Sequence, residues 1–252
     1  MKQILLLLVF LSSLSAYEQV VFVLSPSFTS QKAKLITYEK VNDTFIQKTK
    51  AINVNLGKNG LAWGTSQYKS YKEQNQIMKK EGDKKAVAGV FDLSMIYTYK
   101  NSIKTNMPYT QSTTNHICVD DITSDKYNQI IYTKKKDKFR SYENMLLSND
   151  TYKYVVKVEH NSLNKKSLGS CIFLHVQNPK KIYTSGCTSM VEQNIKDIVS
   201  WLDKKKKPIL IQIPKSSCKQ VQKDFNFIDC SISNLFFIKY VHNKTFKLWE
   251  NG

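Results

Sequence analysis

His175 and Cys187 stand twelve positions apart in a run that reads Ile172-Phe173-Leu174-His175-Val176 and then Tyr183-Thr184-Ser185-Gly186-Cys187-Thr188-Ser189-Met190. The pair supplies a base and a thiol, and Gly186 supplies an open backbone turn beside the sulfur. A cysteine attacks a carbonyl as its thiolate, so it needs a neighbour that takes the proton or lowers a pKa of about 8.5. Backbone N–H groups of Ser185, Gly186 and Cys187 could converge on the oxyanion that such an attack creates. The chemistry expected from these residue types is acyl transfer at a cysteine.

The elements that must position the pair are a strand and a loop. With period two, Cys171, Phe173 and His175 share one face of an apolar strand, and Ile172, Leu174 and Val176 share the other. After the cysteine, Val191, Ile195, Ile198 and Leu202 recur at helical spacing. Ser189 followed by Glu192 reads as a capping box, which sets Cys187 two residues before a helix start, near the positive end of its dipole. Lys204 to Lys207 fall at the C-terminal end of this helix and Pro208 stops it. Further strands are expected over Val20–Leu24, Lys34–Tyr38, Phe45–Asn55, Ile209–Ile213 and Leu235–Ile238, with glycine-punctuated turns at 56–64 and 81–91. Neither turn has the spacing of a phosphate-binding loop. The class expected is mostly β with one or two helices, without internal repeats.

At 252 residues and 41% apolar composition the chain can bury a proper core. Met1-Lys2-Gln3, the apolar run Ile4–Leu11 and the small residues ending at Ala16 read as a secretory signal peptide over 1–16. The mature protein is then expected to be exported and soluble, without a transmembrane segment, and periplasmic in a cell with an outer membrane. A net charge of +18 favours anionic partners, but the lysines are scattered and not interleaved with aromatic residues as in an RNA-binding signature, so no nucleic-acid partner is expected. Of the five cysteines, an odd count leaves at least one thiol unpaired in an oxidising compartment. Cys218 and Cys230, twelve apart, are either a disulfide or two buried thiols.

The segment from Ile172 to Met190 resembles the L,D-transpeptidase catalytic domain. Asn59-Gly60-Leu61-Ala62-Trp63-Gly64, Lys80-Glu81-Gly82-Asp83, Ala88 to Leu93, and Cys118-Val119-Asp120-Asp121 followed by Tyr127-Asn128 look like that family's segments in the same order, so the resemblance spans about 55 to 214. It implies a secreted enzyme with a β-sandwich-like fold, set over 17–214, and peptidoglycan stem peptides as substrate; the more polar composition from Lys215 onward reads as an extension over 215–252 and not an independent domain. In such enzymes the cysteine attacks the carbonyl of the third residue of a tetrapeptide stem, a diamino acid, and expels the terminal D-alanine. The acyl group then passes to an amine of a second stem or to water. Carried over by motif, Cys187 is the nucleophile, His175 the general base, the Val176 carbonyl orients the imidazole, and Ser185, Gly186 and Cys187 line the oxyanion hole; no metal or organic cofactor is implied. Two positions depart from the family pattern: Ser185 stands where many members have histidine, and Ser189 where many have arginine. Both bear on how substrate is held.

Other readings remain open. Water as acceptor would make the protein an L,D-carboxypeptidase, and loss of activity would leave a wall-binding protein. A papain-like protease would place its cysteine before its histidine, the reverse of the order here. His116, His160 and His242 match no zinc spacing. Asp120 and Asp121 would face opposite ways on a strand, Glu81 and Asp83 read as a solvated turn in preference to a substrate-binding one, and Trp63 as core.

Overall fold

The computed structural model describes residues 17–232. The expected signal peptide, the strand expected at 235–238 and His242 lie outside the described residues. Within them the protein is mostly β with two helices, as expected.

Four strands open the chain: β1 (Gln19–Ser25), β2 (Lys32–Val41), β3 (Thr44–Gln47) and β4 (Ile52–Asn55). Short β5 (Leu61–Trp63) precedes the long β6 (Ala86–Thr98), then come β7 (Tyr109–Gln111), β8 (His116–Cys118), β9 (Ile130–Tyr132) and β10 (Glu143–Asn144). The last four are β11 (Tyr154–Val158), β12 (Phe173–Val176), β13 (Thr188–Met190) and β14 (Ile209–Pro214), with α1 (Glu192–Trp201) between the final two strands and α2 (Lys215–Val221) after them. The principal sheet runs β1-β14-β6-β11-β12-β13-β4-β2, and β1 also pairs with β2, so the path closes on itself. Strands β8, β9 and β10 form a separate three-stranded sheet.

Every residue of β1 and of β14 is buried. These two strands pair in parallel at the centre, and their near-continuous apolar sequences are what a strand covered on both faces requires. Around them Phe22, Leu24, Leu35, Leu61, Trp63 and Phe91 are essentially inaccessible to solvent. The sequence expectation for Trp63 therefore holds.

Period two at β11 and β12 divides the molecule. Val156, Val158, Leu174 and Val176 face this main core. Val155 and Phe173 face a second, smaller cluster that contains Cys118, Met145, Tyr152, Cys171 and Cys187. Cys171 lies on the expected face but not in the strand: its φ of 55° precedes β12 in a turn.

The helix α1 buries Ile195, Ile198 and Val199 against β11 and β12, with Leu202 capping its end. Its start corrects the sequence reading. Ser189 belongs to β13, where it pairs with Asn55, and the N-cap is Val191, which has no side-chain acceptor to offer. Glu192 meets Lys153 at 2.9 Å instead of closing a capping box. Lys204–Lys206 are likewise not the helix end but a separate 3-10 turn capped by Asp203. At the C-terminal side, Val221, Phe225, Ile228 and Ile232 join the main core, and Cys218 is bonded to Cys230. Phe227 stacks on Phe45 at 4.0 Å.

Candidate active site

Strands β12 and β13 run in parallel with Leu174 opposite Thr188 and His175 opposite Ser189. Residues paired across parallel strands project to the same side, so Cys187, one position before Thr188, shares a face with Phe173 and His175. Cys187 and His175 are thus diagonal neighbours across the β12–β13 pairing. Both open into one cleft of about 530 Å³, which Ser185, Ser189, Glu81, Asp120, Glu143 and Tyr152 also line.

The loop carrying the thiol is pinned from three sides. Leu56 C=O accepts from Thr184 N–H at 2.8 Å, and Thr184 C=O accepts from Lys58 N–H at 2.9 Å, so the first glycine turn region serves as a brace for this loop. The Thr184 hydroxyl donates to Cys187 C=O at 2.6 Å and accepts from Gly186 N–H at 3.1 Å. Gly186 has a φ of 155°, a conformation that L side chains rarely adopt, and a Cβ there would crowd Lys85 O at 3.2 Å. Of the expected oxyanion donors, the Gly186 N–H is therefore engaged with Thr184, while Ser185 is exposed at the cleft rim.

His175 is buried, and its Nδ1 lies 2.7 Å from Val176 O. A carbonyl can only accept, so Nδ1 carries the proton and Nε2 keeps its lone pair, the tautomer a general base needs. Burial depresses the imidazole to about 4, although the carbonyls of Val176 and Thr151 favour the charged form. The Tyr152 ring stands edge-on to it, centroids 5.2 Å apart.

Cys187 is the free cysteine of the described residues. Burial pushes its thiol far above the ordinary range and the Glu143 charge adds to this, against opposition from Phe173 N–H and the Lys79 charge. Its hydrogen bond runs to Cys171 O at 3.4 Å and not to the imidazole. The expected help from a helix dipole is absent for a structural reason: β13 separates the thiol from the start of α1. Burial thus favours the neutral form of both the thiol and the imidazole.

Several cleft residues carry no motif. Glu143, in β10 opposite Cys118, accepts from Tyr152 Oη at 2.6 Å, and burial raises its carboxyl to about 7. The reading of Glu81 and Asp83 as a solvated turn is corrected: Glu81 Oε2 accepts from Tyr127 Oη at 2.5 Å and Ser170 Oγ at 2.6 Å. Asp83 pairs with the buried Lys79. Asp120 and Asp121 follow β8 and are not within a strand. The Asp120 Oδ1 is buried without a hydrogen-bond partner among the described residues, whereas Thr123 and the Arg140 N–H hold the Asp121 carboxyl down at about 2.

The remaining histidines stand apart. His160 is buried, taking Thr65 N–H on Nδ1 at 3.2 Å and directing Nε2 to Leu168 O at 2.8 Å. His116 packs on Tyr132. No group of three or more metal-ligating side chains occurs among the described residues.

What fold and site define is a mostly-β protein with a cysteine and a histidine facing one cleft. No family model matches the chain, and no curated protein matches it. Among solved structures it is similar to the helical cell shape determining protein Pgp2 from Campylobacter jejuni, with a TM-score of 0.37 and 13% identity, over 78% of this chain and 49% of that one. The chain spans about half the length of that protein. A likeness of this size carries no argument about chemistry.

Proposed function

We propose that the protein is an exported cysteine acyltransferase of the L,D-transpeptidase type that remodels peptidoglycan stem peptides. The observation that carries the reading is the shared face of Cys187 and His175 at one cleft, with Nδ1 fixed on Val176 O so that Nε2 is the free base.

In the first step the thiol leaves Cys171 O and gives its proton to His175 Nε2. The sulfur attacks the carbonyl carbon of the stem's third residue, and the amide C–N bond breaks as the imidazolium protonates the departing D-alanine nitrogen. The product is a thioester on Cys187. An incoming amine then attacks that carbonyl, gives a proton to His175, and displaces the sulfur, which recovers its proton. Deprotonation has to accompany attack, because burial keeps the resting thiol protonated. A net positive charge suits an anionic wall polymer as surroundings.

Incubation with purified sacculi and muropeptide analysis tests the reading. Tetrapeptide donors are consumed by the wild type and untouched by Cys187→Ala; identical profiles for the two would sink the enzymatic reading. Cross-linked dimers identify an amine acceptor, and tripeptides alone identify water. Exposure to a carbapenem-like acyl donor adds one adduct, at Cys187.

A further inference from the structure

The sulfur of the candidate nucleophile lies next to a disulfide. Cys171 is bonded to Cys118 across 53 positions of sequence, and its own carbonyl holds the Cys187 thiol at 3.4 Å. All three cysteines belong to the same small cluster. The other half of the bond leads to the base. Cys118 is in register with Glu143, Glu143 accepts from Tyr152 Oη, and the Tyr152 ring stands against the His175 imidazole. A chain of contacts therefore runs from Cys187 through Cys171, Cys118, Glu143 and Tyr152 to His175, and the disulfide is its covalent member.

The small sheet has other attachments to the rest of the molecule. Asn128 Nδ2 donates to His160 O at 3.1 Å and Asn161 O at 3.0 Å, and its Oδ1 accepts from Cys171 N–H at 3.0 Å. Tyr127 Oη joins Glu81 and takes Gly169 N–H at 3.0 Å. None of these attachments runs through the disulfide, which is the covalent link only of the chain of contacts.

We infer that the Cys118–Cys171 disulfide is a positioning element for the Cys187–His175 pair, whose loss uncouples thiol from base without unfolding the protein. Reduction by a dithiol places one hydrogen on each sulfur and converts the dithiol to its own disulfide. The role in acyl transfer rests on the function proposed above; the role in setting the reactivity of Cys187 does not.

The test compares two disulfide deletions, Cys118→Ala/Cys171→Ala and the remote Cys218→Ala/Cys230→Ala. Alkylation of Cys187 by iodoacetamide is followed by peptide mass spectrometry between pH 6 and 9, beside thermal unfolding. Deleting the first bond is expected to change the Cys187 alkylation rate at least about tenfold and to lower acyl transfer about 100-fold, as a displacement of roughly 1 Å does. Deleting the second lowers the melting temperature and leaves the alkylation rate within about twofold of wild type, since nothing in the chain of contacts changes. Equal alkylation effects for the two deletions would overturn the inference. If the first variant does not fold, the wild type reduced with a dithiol is measured instead; unfolding of both would assign the bond to stability alone and overturn the positioning role. Wild type that alkylates as expected yet leaves muropeptides unchanged would refute the proposed function and not this role.

Discussion

The two apolar clusters on either side of β11 and β12 are built by different means. The main core is a large set of aliphatic and aromatic side chains from nearly every strand and both helices, held chiefly by burial, with the Cys218–Cys230 bond at its C-terminal side. The smaller cluster has few members, three of them cysteines, and around it stand a histidine, a tyrosine hydroxyl and a carboxyl. A small cluster excludes little water by area, so a disulfide and directed hydrogen bonds replace area there. This division keeps chemistry and stability on opposite faces of the same strands, one residue apart.

The largest effects should separate along that line. His175→Gln removes the proposed base and, under the proposed function, is expected to lower acyl transfer by about 10² to 10⁴-fold, with urea-unfolding stability changed by no more than about 1 kcal/mol. Phe22→Ala does the reverse, losing about 3–5 kcal/mol of stability through the cavity it leaves while the folded fraction retains Cys187 reactivity. If Phe22→Ala changed the specific rate of the folded fraction as strongly as His175→Gln, the two faces would not be independent.

Acid tests the same division from the side of stability. His175 in the cleft and His160 outside it are both depressed to about 4 by burial, so between pH 6.5 and 4 the unfolded chain binds protons that the native state refuses. Each then costs on the order of 3 kcal/mol by pH 4. Glu143 acts in the opposite sense: raised to about 7, it holds a proton in the folded state that the unfolded chain releases above about 4.5. Its contribution is full at low pH and disappears as pH rises through 7. Urea midpoints should therefore fall from pH 7 to pH 4, and fall further in Glu143→Gln, which lacks the offset. A flat profile in wild type would mean that the histidines are not buried neutral.

Thiol reactivity should show the same buried, neutral pair. With Cys187 held protonated, alkylation of the wild type is expected to rise about tenfold per pH unit up to pH 9. A plateau below pH 7 would reveal a preformed thiolate and contradict the geometry of a thiol hydrogen-bonded to Cys171 O.

What was legible in the sequence was what local pattern controls. The apolar alternation around His175 sorted Phe173 from Leu174 correctly, because a strand has only two faces. The mostly-β class followed from the same signal. The Ser189-to-Glu192 spacing misled, since a capping box is also local but pairing of β13 with β12 and β4 claims Ser189 for a strand. Glu143, Tyr152 and the Cys118–Cys171 bond were not legible at all. Their partners are 9 and 53 positions away, outside any regular period, and only the docking of the small sheet brings them together. Glu81 and Asp83 looked solvated because a glycine and lysines surround them in sequence; in space Tyr127, Ser170 and Lys79 do.

The smallest effect concerns the helix start and decides whether α1 bears on the thiol at all. Val191 occupies the N-cap, is 49% exposed, and leaves the first N–H groups of α1 without a side-chain acceptor. Val191→Ser supplies one and should stabilise the protein by about 1 kcal/mol, read as a shift in the urea midpoint. Ser189→Ala removes no cap, because Ser189 lies in β13 with only a long contact from Asn55 Nδ2 at 3.5 Å. The better-capped helix belongs to the main-core side, so Cys187 alkylation in Val191→Ser should match wild type at every pH. A change in its pH profile would show that the helix terminus reaches the sulfur, and the separation of the two faces would have to be given up at that point.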